Sequence, residues 1–264
     1  MNETIEELNA KITELSGEVE ALKRSNPLWG KKWFATGDSF TEGDFSHSAK
    51  EDFIFETGRF AGKNKVYPFF IAERNNMEVI NDGLCGSILP YDKEYVSGAS
   101  TDPNLRRPFT HERYKKIPAD VDYITLWFGI NDGWHTELGT IDDAENKTFY
   151  GGWNFILPYL IKNFPNAKIG VIVTNTNGGY PEYRKATREC CRKWGIPFLD
   201  LMGDEQIYPS TGGREEGMCL CDEAKNLWYE RFKVKCVEGQ SNGHPCPQWH
   251  EFQSYFIEAF LRRL

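Results

Sequence analysis

The chain has 264 residues, with 31 Lys and Arg against 39 Asp and Glu and a formal net charge of −8. That balance argues against a nucleic-acid partner, because phosphate binding wants clustered Lys and Arg. No apolar run approaches the length needed to span a membrane, and none is expected to insert.

The first element is a helix over residues 1–24. Ile5, Leu8, Ile12, Leu15, Val19 and Leu22 recur at spacings of three and four, with Glu and Lys on the other faces. This is an a/d heptad stripe, and almost every other position is polar, so the stripe needs a partner of its own kind. β-branched residues at a with Leu at d favour two parallel strands by rule, and so short a zipper also suits three. The expected partner is therefore further copies of this chain, a dimer or trimer through residues 1–24. A helix folded back on its own domain is the competing reading. Ser25-Asn26-Pro27 stops the helix, and residues 25–32 read as a linker.

Residues 33–264 suffice for one α/β domain with a substantial core. Strands are predicted near 32–36, 77–81, 122–128, 167–174 and 197–200, and helices near 66–76, 153–164, 181–194, 222–231 and 248–263. The run Ala167 to Thr174 is continuous and β-branched, as a strand buried on both faces would be. Such alternation implies a five-stranded parallel sheet with helices on both sides, a three-layer, flavodoxin-like sandwich. The stretches 87–118 and 202–221 are rich in Gly, Pro and polar residues and are predicted as loops walling a site.

Three predicted strands end in short polar motifs. Trp33-Phe34-Ala35 leads into Gly37-Asp38-Ser39-Phe40, Val79-Ile80 into Asn81-Asp82-Gly83-Leu84-Cys85-Gly86-Ser87, and the strand ending at Phe128 into Gly129-Ile130-Asn131-Asp132. A fourth block, Gly243-His244-Pro245, precedes the last helix, and His250 follows within that helix. Ligands of parallel sheets bind beyond the carboxyl ends of the strands, where Ser39, Gly86 and Asn131 fall. Ser39 at a strand-to-helix turn lifts its hydroxyl out of the sheet, beside helix N–H groups that favour negative charge.

These four blocks, in this order, resemble the SGNH (GDSL-type) hydrolases, esterases and lipases that cut acyl esters with serine. The resemblance covers about Trp33 to Leu264. It implies that Ser39 is the nucleophile and His244 the general base. It also implies an oxyanion hole from the Ser39 and Gly86 N–H groups and the Asn131 amide. Chemistry asks for the same groups. Attack on an ester puts charge on the carbonyl oxygen, and each donor aimed at it is worth about 3 kcal/mol in the barrier. An amide NH₂ donates without a proton change, and a glycine allows close approach of backbone to substrate. A histidine would take the Ser39 proton and return it to the leaving alcohol. No cofactor and no metal is expected.

One position departs from the family pattern. An aspartate usually stands three residues before the catalytic histidine, but here that residue is Ser241, followed by Asn242. Three readings stay open: a Ser–His dyad oriented by Ser241 or Asn242, an acid from elsewhere (Asp222 and Glu223 are nearest upstream), or a head that only binds.

Aromatic residues make up 14% of the chain, and Tyr91, Tyr95, Trp134, Tyr150, Trp153 and Tyr180 are expected in loops. Aromatic platforms suit sugar rings, so an acetyl ester on a carbohydrate polymer is the expected substrate, and apolar loop faces would serve a lipid acyl chain equally well. A zipper joined to such a hydrolase is similar to phage tail and fibre proteins, which implies multivalent heads acting on a surface polymer. The alternative is a non-catalytic carbohydrate-binding head, and a third reading is an esterase or thioesterase of small metabolites.

Seven cysteines, an odd number, and first residues without an apolar core segment lead to the expectation of no signal peptide and synthesis in the cytoplasm. Cys219-x-Cys221 is too tight for a structural zinc pair, even with Cys236 and Cys246. Cys190-Cys191 are expected on a helix with one facing the core.

Overall fold

The computed structural model describes residues 4–43, 53–91, 108–173, 180–201, 223, 244–245 and 247–264. Helix α1 spans Ile5–Ser25, followed by strand β1 (Lys32–Gly37), the short helix α2 (Ser39–Glu42), α3 (Tyr67–Asn75) and β2 (Glu78–Gly83). Next come β3 (Tyr123–Trp127), α4 (Asp132–His135), α5 (Phe149–Asn163), β4 (Lys168–Val173), α6 (Pro181–Trp194), β5 (Phe198–Asp200) and α7 (Pro247–Arg263).

All four strand pairings are parallel, in the order β2-β1-β3-β4-β5. This is the doubly wound, flavodoxin-like order, with the turn of direction at β1 and β3. The five predicted strands stand within two residues of their expected positions. The register places Gly37 opposite both Gly83 and Trp127, so three strands end level with one another. The chain leaves the sheet there in three adjacent connections: the first two polar motifs start in the last residues of β1 and β2 and run out of the sheet, and the third starts two residues beyond β3.

Strand alternation divides the core. Trp33, Ala35, Tyr123 and Trp127 point to the side of α3 and α7, where they pack with Tyr67, Ile71, Trp249, Ile257 and Leu261. Phe34, Ile124, Leu126 and Val171 point to the side of α5 and α6, with Trp153, Ile156, Leu160 and Ala186. Each fully buried aliphatic or aromatic side chain contributes roughly 1.5–3 kcal/mol, so the two faces together hold the sheet. Trp33 keeps its indole N–H satisfied by donating to Thr125 Oγ1 at 3.0 Å within the first layer. Arg74 joins α3 to α7 through Glu258 (2.7 Å) and Ser254 (2.8 Å). Asp200, buried at the end of β5, is neutralised by Arg184 and Arg188 of α6, at 2.9 and 2.7 Å.

Several expectations need adjustment. The helix expected over 153–164 begins at Phe149, because Thr148 Oγ1 caps it by accepting from the Gly151 N–H. Tyr150 and Trp153 consequently lie on α5 and are buried in the core, rather than in a loop. Cys190 and Cys191 are both buried, not one, since α6 is covered by the sheet and by α5 on adjoining faces. The helix expected over 222–231 falls outside the described residues except Glu223, as do Tyr95 and Cys219, Cys221, Cys236 and Cys246.

Helix α1 behaves differently. Thr4 and Glu7 form a capping box at its start, with Glu7 N–H donating to Thr4 Oγ1 at 3.3 Å and Thr4 N–H to Glu7 Oε2 at 2.7 Å. None of its residues is buried, and Ile5 is 78% exposed, Ile12 60% and Leu22 69%. The helix therefore does not fold its stripe back onto the sheet domain. The stretch after it does dock. Leu28 is fully buried, and Asn26 donates to Asn75 Oδ1 (2.9 Å) while accepting from Arg262 (2.8 Å). No helix among the described residues is long and apolar enough to cross a membrane.

Candidate active site

Ser39 is the first residue of α2, immediately beyond β1, and is almost fully buried. Asp38 fixes this turn by accepting from the Phe40 N–H at 3.0 Å, the bond expected of a helix-capping aspartate. Helix α2 is tied to its surroundings at each residue beyond Ser39. Phe40 packs against Trp127, Thr41 Oγ1 lies 3.1 Å from the Tyr67 hydroxyl, and the Glu42 carboxylate accepts from the Cys85 N–H at 2.6 Å.

The second motif wraps round this helix. Asn81 Nδ2 donates to the Thr41 carbonyl at 2.7 Å, and Asn81 Oδ1 accepts from Gly83 N–H at 3.0 Å. Gly83 lies so close to α2 that a Cβ there would sit 2.1 Å from the Glu42 nitrogen and 2.5 Å from the Thr41 carbonyl carbon. The loop then turns through Gly86, whose φ of +70° suits glycine. Ser87 N–H closes the turn on the Leu84 carbonyl at 3.0 Å.

Asn131 reaches this loop from the third motif. Its Nδ2 donates to the Ser87 carbonyl at 3.0 Å. One amide hydrogen is thereby fixed and the second remains to be aimed. The side chain makes no cap bond to α4, which it precedes. The next residue, Asp132, is buried and accepts from Leu89 N–H at 2.8 Å, holding the far end of the same loop. Burial pushes the Asp132 carboxyl up to about 7. Burial pushes Asp38 up to about 8, with Asp132 adding to the effect and the Phe40 N–H and the Arg113 charge opposing it.

His244 closes the arrangement: its Nε2 lies 2.7 Å from Ser39 Oγ, 205 residues away in sequence. The imidazole packs against the Phe40 ring, centroids 5.7 Å apart. With Nε2 unprotonated, the Ser39 hydroxyl donates to it, the geometry a general base requires. Ser241, Asn242 and Asp222, considered as supports of this histidine, lie outside the described residues, and Glu223 is exposed. His250 takes no part in this pair. It is buried on α7, stacks near Tyr67 at 6.4 Å and shares a 3.0 Å hydrogen bond between its Nδ1 and Gln253 Nε2. Burial, aided by the neighbouring His244, drops its pKa to about 3, so it packs as a neutral ring.

The four residues singled out in the sequence therefore share one end of the sheet: Ser39 with His244 by a direct contact, Asn131 with the loop of Gly86 through Ser87. A hydroxyl on an imidazole beside amide donors can be deprotonated while it attacks a carbonyl. Three side chains here went unread. The carboxyls of Asp38 and Asp132 looked like turn residues within the motifs. Arg113 stood in a predicted loop, 26 to 77 residues from its partners Ser87 and Thr36, and no local pattern marks so distant a contact.

Of the other aromatics expected in loops, Trp134 lies instead on the short helix α4, is 71% exposed and meets the Tyr180 ring edge-on at 5.5 Å. Tyr91 stacks on His111 at 4.2 Å.

No protein-family model matches the chain, and no curated protein does. Solved structures do. A protein provisionally named a GDSL-like lipase from Bacteroides ovatus is 17% identical, with a TM-score of 0.55 over 89% of this chain and 99% of its own. Another of that name from Bacteroides uniformis is 19% identical, with a TM-score of 0.52 over 88% and 94%. A protein from Lactobacillus plantarum is 22% identical, with a TM-score of 0.56 over 89% and 98%. At such identities the likeness concerns the fold: the chain has the α/β fold found in GDSL-like hydrolases.

Proposed function

We propose that the chain is a serine esterase of the SGNH type. The observation that carries this reading is the 2.7 Å contact between Ser39 Oγ and His244 Nε2, at the sheet end where Gly86 and Asn131 also lie. In the proposed reaction Ser39 Oγ attacks the ester carbonyl as its proton passes to His244. The oxyanion is held by the N–H groups of Ser39 and Gly86 and by the second hydrogen of the Asn131 amide. His244 then protonates the leaving alcohol, and water, deprotonated by the same imidazole, releases the acid from Ser39.

The proposed substrate is an acetyl ester on a carbohydrate polymer. Trp134 supports this, since an indole so exposed, three residues beyond Asn131, suits a sugar ring. The exposed stripe of α1 supports self-association into a dimer or trimer, which would multiply weak contacts with a repeating polymer, as in a phage tail or fibre protein.

The test is acetate release from an O-acetylated polysaccharide alongside p-nitrophenyl esters of increasing chain length. Turnover that is lost in Ser39→Ala and falls off beyond acetyl fits the proposal. Folded wild-type protein that binds the glycan but turns over no ester would instead identify a carbohydrate-binding head.

A further inference from the structure

Arg113 carries a full positive charge into the interior beneath the proposed site. Its residue is 3% exposed, and it begins a short 3₁₀ turn, Arg113–Lys116. A buried guanidinium is costly unless its donors are satisfied and its charge is balanced. Here both conditions are met by groups from two of the three segments that build the site, the end of β1 and the end of β2 with the loop after it. Nη1 donates to Ser87 Oγ at 2.5 Å, and Nη2 reaches Thr36 Oγ1 and the Gly37 carbonyl, each at 3.2 Å. Nη2 also donates to Asp82, at Oδ2 (2.8 Å) and at the main-chain carbonyl. Thr36 Oγ1 in turn donates to the same Asp82 carboxylate at 2.8 Å.

One planar group thus clamps the carboxyl ends of β1 and β2 to the residue that follows Gly86. Ser87 is the junction. Its hydroxyl is held by Arg113 and its carbonyl by Asn131, at 3.0 Å. Whatever fixes Ser87 therefore fixes two of the three proposed oxyanion donors, the Gly86 N–H on one side and the Asn131 amide on the other. The Asp82 carboxylate, 2.8 Å from Nη2, balances the charge, and the Glu42 carboxylate adds to the favourable field. A lysine cannot replace this fork, because its ammonium is a point charge on a flexible stem.

We infer that Arg113 is a positioning residue for the oxyanion loop, acting through the Ser87 hydroxyl on Gly86 and Asn131. The inference rests on the esterase reading for its catalytic consequence, but its structural half can be read without turnover. It requires that Arg113 govern how firmly residues 84–88 are held, and that loss of the clamp lower kcat while leaving KM nearly unchanged.

The experiment compares wild type with Arg113→Ala, Arg113→Lys and Ser87→Ala by p-nitrophenyl acetate kinetics and by amide hydrogen exchange. In both Arg113 variants kcat should fall about 100-fold, the usual loss of an oxyanion donor, with KM within about threefold. Ser87→Ala, which leaves the charge paired with Asp82, should lose about tenfold by the same route. Millimolar guanidinium should restore Arg113→Ala and leave Ser39→Ala inactive. Exchange over residues 84–88 should quicken in every variant while β3 stays protected. Ser87→Ala with wild-type kcat and wild-type exchange would overturn the inference even if the arginine variants failed to fold. A folded Arg113→Ala within threefold of wild-type kcat, or one that guanidinium does not rescue, would also overturn it. If the wild type itself turns over nothing, the esterase reading fails, and the exchange of residues 84–88 still decides whether Arg113 holds the loop.

Discussion

Helices α1 and α7 have 21 and 17 residues and carry apolar side chains at helical spacing, yet they end in opposite environments. α7 buries Trp249, Ile257, Phe260 and Leu261 against the sheet and α3. α1 buries nothing and leaves six large apolar side chains exposed. Burial of each would be worth roughly 1.5–3 kcal/mol, so α1 forgoes a stabilisation that α7 collects. The cause lies in the pattern. The stripe of α1 is narrow, at a and d only, and fits another helix, whereas α7 adds apolar residues beyond that seam and fits a sheet. The same kind of periodicity thus completes the domain that holds His244 in one case and projects away from it in the other. Chemistry and assembly should therefore be separable by mutation.

The largest expected effect falls on the chemistry alone. Ser39→Ala and His244→Ala should each lower turnover of p-nitrophenyl acetate at least about a thousandfold, as for other paired nucleophile and base groups, with no change of mass in light scattering. Asn131→Ala should cost about 10²–10³ in kcat, again at unchanged mass. Gly83→Ala should destabilise the domain by about 1–3 kcal/mol in urea unfolding, because its Cβ has no room against the α2 backbone. The reverse separation is expected for Leu8→Asp with Leu15→Asp. The proposed self-association through α1 should be lost, leaving a single chain of 30.4 kDa, while kcat per site stays within about twofold. A mass unaffected by both substitutions would remove α1 as an oligomerisation element.

The smallest effect is a pH slope. Asp132 and Asp38 are pushed up to about 7 and about 8 by burial. The folded chain thus keeps protons that the unfolded chain releases near an ordinary carboxyl pKa. Their contribution to stability is complete below that ordinary value and is lost as pH rises through about 7 to 8. His250, held near 3, acts in the opposite sense, but only below an ordinary histidine pKa of about 6.5. Between about pH 6.5 and 8.5, Tm should therefore decline with pH in wild type and decline less in Asp132→Asn, whose amide oxygen still accepts from Leu89. An unchanged slope would place the proton elsewhere.

The sheet was legible because its strands are largely apolar runs followed in the sequence by polar residues, as Ile169 to Val173 is. Ser39, Gly86, Asn131 and His244 were legible because each stands in a short motif beside such a run. Arg113 was not, because its five acceptors come from four residues far from it in sequence. The burial of Asp38 and Asp132 was equally hidden. Both residues favour turns, and only tertiary packing removes them from water. The start of α5 was missed because Gly151 and Gly152 weaken a helical pattern that the Thr148 cap and burial of Phe149 restore.

The most direct measurement is labelling with a serine-directed fluorophosphonate followed by peptide mass mapping. One phosphonyl group per chain on Ser39, and none on the His244→Ala variant, is the predicted result. Folded wild-type protein that takes no label, or takes it at another serine, would contradict the pairing of Ser39 with His244 as reacting groups.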